Sequence, residues 1–69
     1  MNISARNQLQ GTVKKIVPGA VNAEVTIDIG DGQEVVAIIT SGSVERLGLK
    51  TASRATAVIK ASDVLVATD

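Results

Sequence analysis

Ala23, Val25, Ile27 and Ile29 alternate with Glu24, Thr26 and Asp28 in the cleanest period-two run of the chain. Successive side chains of a strand point to opposite faces of a sheet, so this run predicts a half-buried strand. Gly30-Asp31-Gly32 follows at once, and these residues tolerate the positive φ of a tight hairpin turn. The chain must then reverse and lay its next segment, Gln33 to Ile39, against the first. That segment is apolar on both faces, with Val35, Ala37 and Ile39 on one and Val36 and Ile38 on the other. A strand buried on both faces in so short a chain requires cover from a helix or another subunit.

The flanking sequence continues the pattern. Leu9, Gly11 and Val13 alternate with Gln10, Thr12 and Lys14, which predicts a first strand ending near Val17-Pro18-Gly19. Thr40-Ser41-Gly42-Ser43 breaks the alternation with hydroxyl residues suited to capping a short helix, Val44 to Leu47, ended by Gly48. Val44 and Leu47 are three apart and are expected to face the core together. Arg54 to Lys60 sets Ala55, Ala57 and Ile59 against Thr56, Val58 and Lys60. Ala61-Ser62-Asp63 turns the chain, and Val64 to Ala67 is expected to form a fifth strand. The expected fold is all-β: a single domain over residues 1–69, a five-stranded OB-like barrel with one short helix between strands 3 and 4.

Size then becomes an argument. With 69 residues, the chain buries a smaller fraction of its surface than a large domain does. It contains no Cys and no His, which removes disulfides and ordinary zinc sites as reinforcement. It also contains no Phe, Tyr or Trp, so Val, Ile, Leu and Ala must fill the core. Oligomerisation is the remedy left open.

The same absences restrict the chemistry. Without His, Cys or Tyr the usual nucleophile–base pairs cannot form, and the chain is read as a non-enzyme. Glu24, Asp28, Asp31, Glu34, Glu45, Asp63 and Asp69 are scattered over polar faces. Asp28-x-x-Asp31 is a turn lacking the ligands of a calcium loop, so no free metal cation is expected. OB barrels that bind single strands use aromatic stacking in a basic groove, whereas this chain has no ring and zero net charge. Nucleic acid and membrane are therefore not expected partners. There is no signal-peptide core and no apolar run near the roughly 20 residues needed to span a bilayer. The absence of cysteine fits the cytoplasm.

A set of small donors remains. Ser4, Arg6 and Asn7 precede the first strand, Thr40, Ser41 and Ser43 sit at the helix start, and Lys60 and Ser62 close the fourth strand. Hydroxyls, backbone N–H groups and one or two cations suit a compact oxyanion, since they donate without offering repulsive lone pairs. Each group alone also has an ordinary explanation: a helix cap, a solvated strand end, a chain terminus. Composition and spacing do not choose the anion.

Ser4-Ala5-Arg6-Asn7-Gln8-Leu9 followed by Gly11 resembles the opening motif of the molbindins, small molybdate-binding proteins of the Mop or TOBE type. The resemblance spans nearly the whole chain. It runs through Val21-Asn22-Ala23-Glu24-Val25 and Ser43-Val44-Glu45-Arg46-Leu47-Gly48-Leu49 to Ile59-Lys60-Ala61-Ser62-Asp63-Val64. Lys14-Lys15 and Thr51 to Arg54 match nothing in the motif.

The resemblance implies molybdate or tungstate as the bound ligand, no organic cofactor, and a homo-oligomer, a hexamer built as a trimer of dimers. It implies oxyanion sites between subunits formed by Ser4, Ala5, Arg6, Thr40, Ser43, Lys60, Ala61 and Ser62. In that arrangement Ser4 and Arg6 of one subunit meet Thr40, Ser43, Lys60 and Ser62 of a neighbour. A second class of site is expected near Gly19, Ala20, Val21 and Asn22. The expected role is cytoplasmic storage. The alternative is a sensing or assembly module of a larger regulator or transporter ATPase. Because the sequence opens on Met1 and stops soon after the last expected strand, a free-standing protein is the expectation.

Overall fold

In the computed structural model, which describes residues 2–69, the order of elements is β1 (Asn7–Val17), β2 (Asn22–Gly30), β3 (Gln33–Thr40), α1 (Ser41–Leu47), β4 (Arg54–Ile59) and a 3-10 turn at Ala61–Asp63. The four strands form one antiparallel sheet in the order β3-β2-β1-β4. The β2–β3 hairpin turns where expected, with positive φ at Gly30, Asp31 and Gly32. Asp28 Oδ1 accepts a hydrogen bond from the Gly30 N–H at 2.9 Å, so this carboxylate serves the turn.

The inner face follows the alternation. Val13, Ala23, Val25, Ile27 and Ala57 are buried, and Ile16, Ile29, Val35, Ile39, Val44, Leu49 and Ala55 pack around this core. Gly11 is needed for the sheet to close up, because a Cβ there would lie 2.3 Å from the Asp28 carbonyl oxygen. The sheet curls so that its two edge strands face each other across an open apolar groove of about 1050 Å³, lined by Ile27, Ala37, Ile39, Leu49, Ala55 and Ile59.

The structure corrects the sequence reading at four places. Among the described residues there are four strands, not five: Val64 to Ala67 follows the 3-10 turn without joining the sheet. A strand exists only through a neighbour's hydrogen bonds, and among the described residues this segment pairs with no strand, its Val64 N–H bonding to the Ala61 carbonyl of the turn. Leu65 and Val66 are left 94% and 88% exposed.

The second correction concerns α1, which begins at Ser41, one turn earlier than expected, capped by Thr40. Third, Leu47 does not face the core with Val44 but is 63% exposed. Gly48 takes a left-handed conformation, its N–H bonds to Glu45 O, and the Leu49 N–H bonds to Val44 O. This is the Schellman arrangement, and it folds Leu49 back beside Val44 in place of Leu47.

Fourth, β1 carries a bulge at Lys14, because Val13 pairs with Ile27 while Lys15 pairs with Thr26. The extra residue shifts the alternation by one, so Ile16 packs on the core and Val17 is exposed. Opposite the bulge, Thr26 is buried on a face expected to be solvated, in a niche formed with Lys14, Lys15 and Glu34.

Lys14 Nζ and Glu34 Oε2 form an ion pair. The hydrogen bond to Glu34, and then its negative charge, raise the Lys14 ammonium above the ordinary lysine range. On the outer face of β3, Val36 and Ile38 are exposed, so α1 does not cover the second apolar face of that strand.

Candidate functional site

The β1–β4 ladder begins at Asn7↔Ile59, so Arg6 and Lys60 are the next residues outward on adjacent strands. The register thereby collects Ser4, Ala5 and Arg6 beside Lys60, Ala61 and Ser62 at one end of the sheet. Ser4 lies at a bend, and the Ala5 carbonyl accepts a hydrogen bond from Gln8 Nε2 at 2.8 Å. C=O and N–H point oppositely across a planar trans peptide, so turning this carbonyl toward Gln8 turns the Arg6 N–H the other way.

Across the ladder, the Asp63 N–H bonds to Lys60 O and starts the 3-10 turn that carries Ala61 and Ser62. Ser4, Arg6, Lys60, Ala61 and Ser62 are exposed and Ala5 is half-buried. This end presents two cations, two hydroxyls and outward N–H groups. Asp63 shares the turn but forms no ion pair with either cation among the described residues.

Thr40 and Ser43 lie elsewhere. Asn22↔Thr40 are ladder partners in β2–β3, and Val17↔Glu24 pair at the far end of β1. The helix start and residues Gly19–Asn22 therefore share the opposite end of β1 from Arg6. Within one chain the eight expected oxyanion residues split into two groups. Lys60 and Ser62 accompany Ser4 and Arg6 of their own chain, while Thr40 and Ser43 join the second-site residues Gly19, Ala20, Val21 and Asn22.

The second group is tightly wired. Thr40 Oγ1 accepts from the Ser43 N–H at 3.0 Å and donates to Ser43 Oγ at 2.8 Å. Arg46 Nη2 donates to the same Ser43 Oγ at 3.3 Å. The Ser41 N–H donates to Val21 O and its hydroxyl to Gly19 O, each at 2.8 Å. Gly19 has no room for a Cβ, which would lie 2.3 Å from Asn22 O.

The expected oxyanion set did not include Arg46, Gln8 or Ser41, although Ser41 stood among the small donors at the helix start. Arg46 was detectable, since it follows Ser43 by three residues on a helix and such pairs share a face. No local signal marks the partners of Ser41, which lie 20 and 22 residues away. Among the described residues, no three His, Cys, Asp or Glu gather as metal ligands, and no helix is long and apolar enough to cross a membrane.

A small curled β sheet with clustered hydroxyl and cationic donors defines a compact anion-binding class of domain. Comparison with known proteins agrees with that class. The TOBE domain family matches residues 3–66, and the chain belongs to it. The "Molybdenum-pterin-binding protein 3" of Clostridium pasteurianum is 48% identical over 66 residues, covering 96% of this chain and 97% of the relative.

Among solved structures, a molybdate binding protein from Sporomusa ovata superposes with a TM-score of 0.91 at 44% identity, covering 99% of this chain and all of that one. The cytoplasmic molybdate-binding protein ModG, solved with molybdate bound, gives a TM-score of 0.90 at 52% identity. That match covers 94% of this chain and 46% of ModG.

Proposed function

We propose that this protein binds and stores molybdate or tungstate in the cytoplasm, as a non-catalytic homo-oligomer with oxyanion sites between subunits. The observation that carries the reading is the ladder register that sets Ser4, Ala5 and Arg6 beside Lys60, Ala61 and Ser62. Arg6 and Lys60 offset a dianion's charge, and the hydroxyls and N–H groups fix its oxygens. The ligand is read as the bare anion: relatives carry molybdenum-pterin in their names, but this chain offers no aromatic ring on which a pterin could stack.

Assembly as a hexamer, a trimer of dimers, rests on the resemblance and is supported by two features. One chain leaves Thr40 and Ser43 far from Arg6, so a neighbour must bring them together if they share an anion. One chain also leaves an apolar groove, the outer Val36 and Ile38, and the Leu65-Val66 segment uncovered. A second reading, a binding module of a larger protein, is favoured by the ModG match, where the same domain is under half of the chain.

Native mass spectrometry with and without molybdate tests the proposal by reading subunit number and bound anions together. Six subunits and several anions per assembly are the expected result. A monomer that takes up neither molybdate nor tungstate overturns it.

A further inference from the structure

Aspartate and asparagine share one spontaneous reaction, closure of the side chain onto the amide nitrogen of the following residue. It is favoured by a small following residue, a free N–H on that residue and a side chain not already engaged. Four Asp and three Asn stand in this chain, and the fold disfavours all but one of them. The amides after Asn7 and Asn22 belong to Gln8 and Ala23, inside β-ladders. Asn2 precedes the β-branched Ile3, whose bulk hinders ring closure. The Asp28 carboxylate is engaged by the Gly30 N–H, and the Val64 N–H after Asp63 is bonded to Ala61 O. Asp69 is followed by no residue in the 69-residue chain.

Asp31 meets every condition. It is exposed, lies between β2 and β3, and its carboxylate makes no hydrogen bond or ion pair among the described residues. The next residue is Gly32, whose N–H has no acceptor among the described residues and whose Cα has open space around it. We infer that Asp31 is this protein's site of spontaneous isomerisation to isoaspartate. The reaction is independent of the anion sites.

The chemistry needs only water. The Gly32 nitrogen, its proton lost to solvent, attacks Cγ of the protonated Asp31 carboxyl. An N–C bond forms, a C–O bond breaks and one water leaves, closing a five-membered cyclic imide. Water then adds to either ring carbonyl. Breaking the bond from Cγ to nitrogen returns aspartate, whereas breaking the bond from the main-chain carbonyl to nitrogen leaves the chain running through Cβ and Cγ. The product has the same atoms as the starting chain, with one more carbon in its backbone. The loop is shaped by positive φ at Gly30, Asp31 and Gly32, and it closes on the Gly30↔Gln33 pair. A longer backbone cannot keep both, so isomerisation loosens the β2–β3 hairpin.

The test holds the folded 69-residue protein for weeks in mildly acidic buffer made with heavy-oxygen water, at body temperature, beside Asp31→Glu and Asp31→Asn. Isoaspartyl O-methyltransferase with a labelled methyl donor counts isoaspartate. Electron-transfer fragmentation, which cuts the added Cα–Cβ backbone bond, locates it. Wild type should gain isoaspartate at Asp31 before any other position, with heavy oxygen incorporated there. In Asp31→Glu the signal should fall to background, because the ring would need six members. Should Asp31→Glu not fold, Asp31→Asn gives the same reading: its new side-chain amide should leave as ammonia faster than those of Asn2, Asn7 and Asn22. The isomerised fraction, separated by ion exchange, should melt below the unmodified protein. Wild type without isoaspartate, with isoaspartate first at another residue, or with isoaspartate lacking heavy oxygen overturns the assignment. Equal melting midpoints overturn the loosening of the hairpin.

Discussion

The two ends of β1 hold similar residue types in different states. At the Asn7 end, Ser4–Arg6 and Lys60–Ser62 carry two cations and are tied down lightly, by one side-chain bond from Gln8 and two turn bonds, to Lys60 and Ala61. At the Val17 end, Gly19–Asn22 and Thr40–Ser43 hold hydroxyls and backbone groups in a web of five hydrogen bonds, with Arg46 at its margin. The first end supplies more charge and is held by fewer hydrogen bonds. The second supplies less charge but is already ordered. Removing a charge should therefore act on affinity at the first end, whereas removing a hydroxyl should act on stability at the second.

The largest effect tests the charged end. Arg6→Ala should weaken molybdate binding by roughly 1.5–3 kcal/mol, the range for hydrogen bonds to charged groups. The thermal midpoint should barely move, because Arg6 precedes β1 and is exposed. Calorimetric titration and a melting curve on the same sample read both quantities. Wild-type affinity in this variant would remove Arg6 from the site.

Thr40→Ala reverses the pattern. Thr40 caps α1 through the Ser43 N–H, and losing such a cap costs about 1 kcal/mol of stability. Its hydroxyl hydrogen is already spent on Ser43, so the direct loss of anion affinity should be smaller than for Arg6→Ala. Chemical denaturation measures the first, and a titration the second. A large affinity loss with unchanged stability would mean that Thr40 is a ligand and not a cap.

The smallest effect lies between the ends, at Lys14 and Glu34. Glu34 raises the Lys14 pKa in the folded state, so the pair's contribution is present below lysine's ordinary pKa. It fades as pH rises through the higher folded value. Both groups are well exposed, so the stability change is slight. Melting curves from neutral to strongly alkaline pH should show Glu34→Gln losing this alkaline dependence, with no change in anion binding at either end. A change in binding would make the bulge part of a site.

Much of this molecule was readable residue by residue. Alternation located the four observed strands while also drawing a fifth, Gly30-Asp31-Gly32 located the hairpin, and Gly48 marked the end of the helix, because each rests on local backbone preference. The candidate donors were legible as types: hydroxyls and cations in a chain without His, Cys or aromatic residues. Their grouping was not. Thr40 and Ser43 were expected to meet Arg6 across a subunit interface, and strand register shows only that within one chain they lie with Gly19–Asn22. Leu47 looked like a core residue by spacing, and only the turn at Gly48 shows that Leu49 takes that place.

The sequence by itself determined an all-β domain of hairpin-paired strands, an aliphatic core and an anion-suited set of side chains. Those properties follow from side-chain chemistry and from preferences acting over a few residues. Tertiary structure alone decided the bulge at Lys14, the burial of Thr26, the tether from Ser41 and the unpaired state of Val64 to Ala67. Each depends on which distant backbone supplies the next hydrogen bond, and a period-two pattern fixes which face a residue occupies without naming the strand beside it.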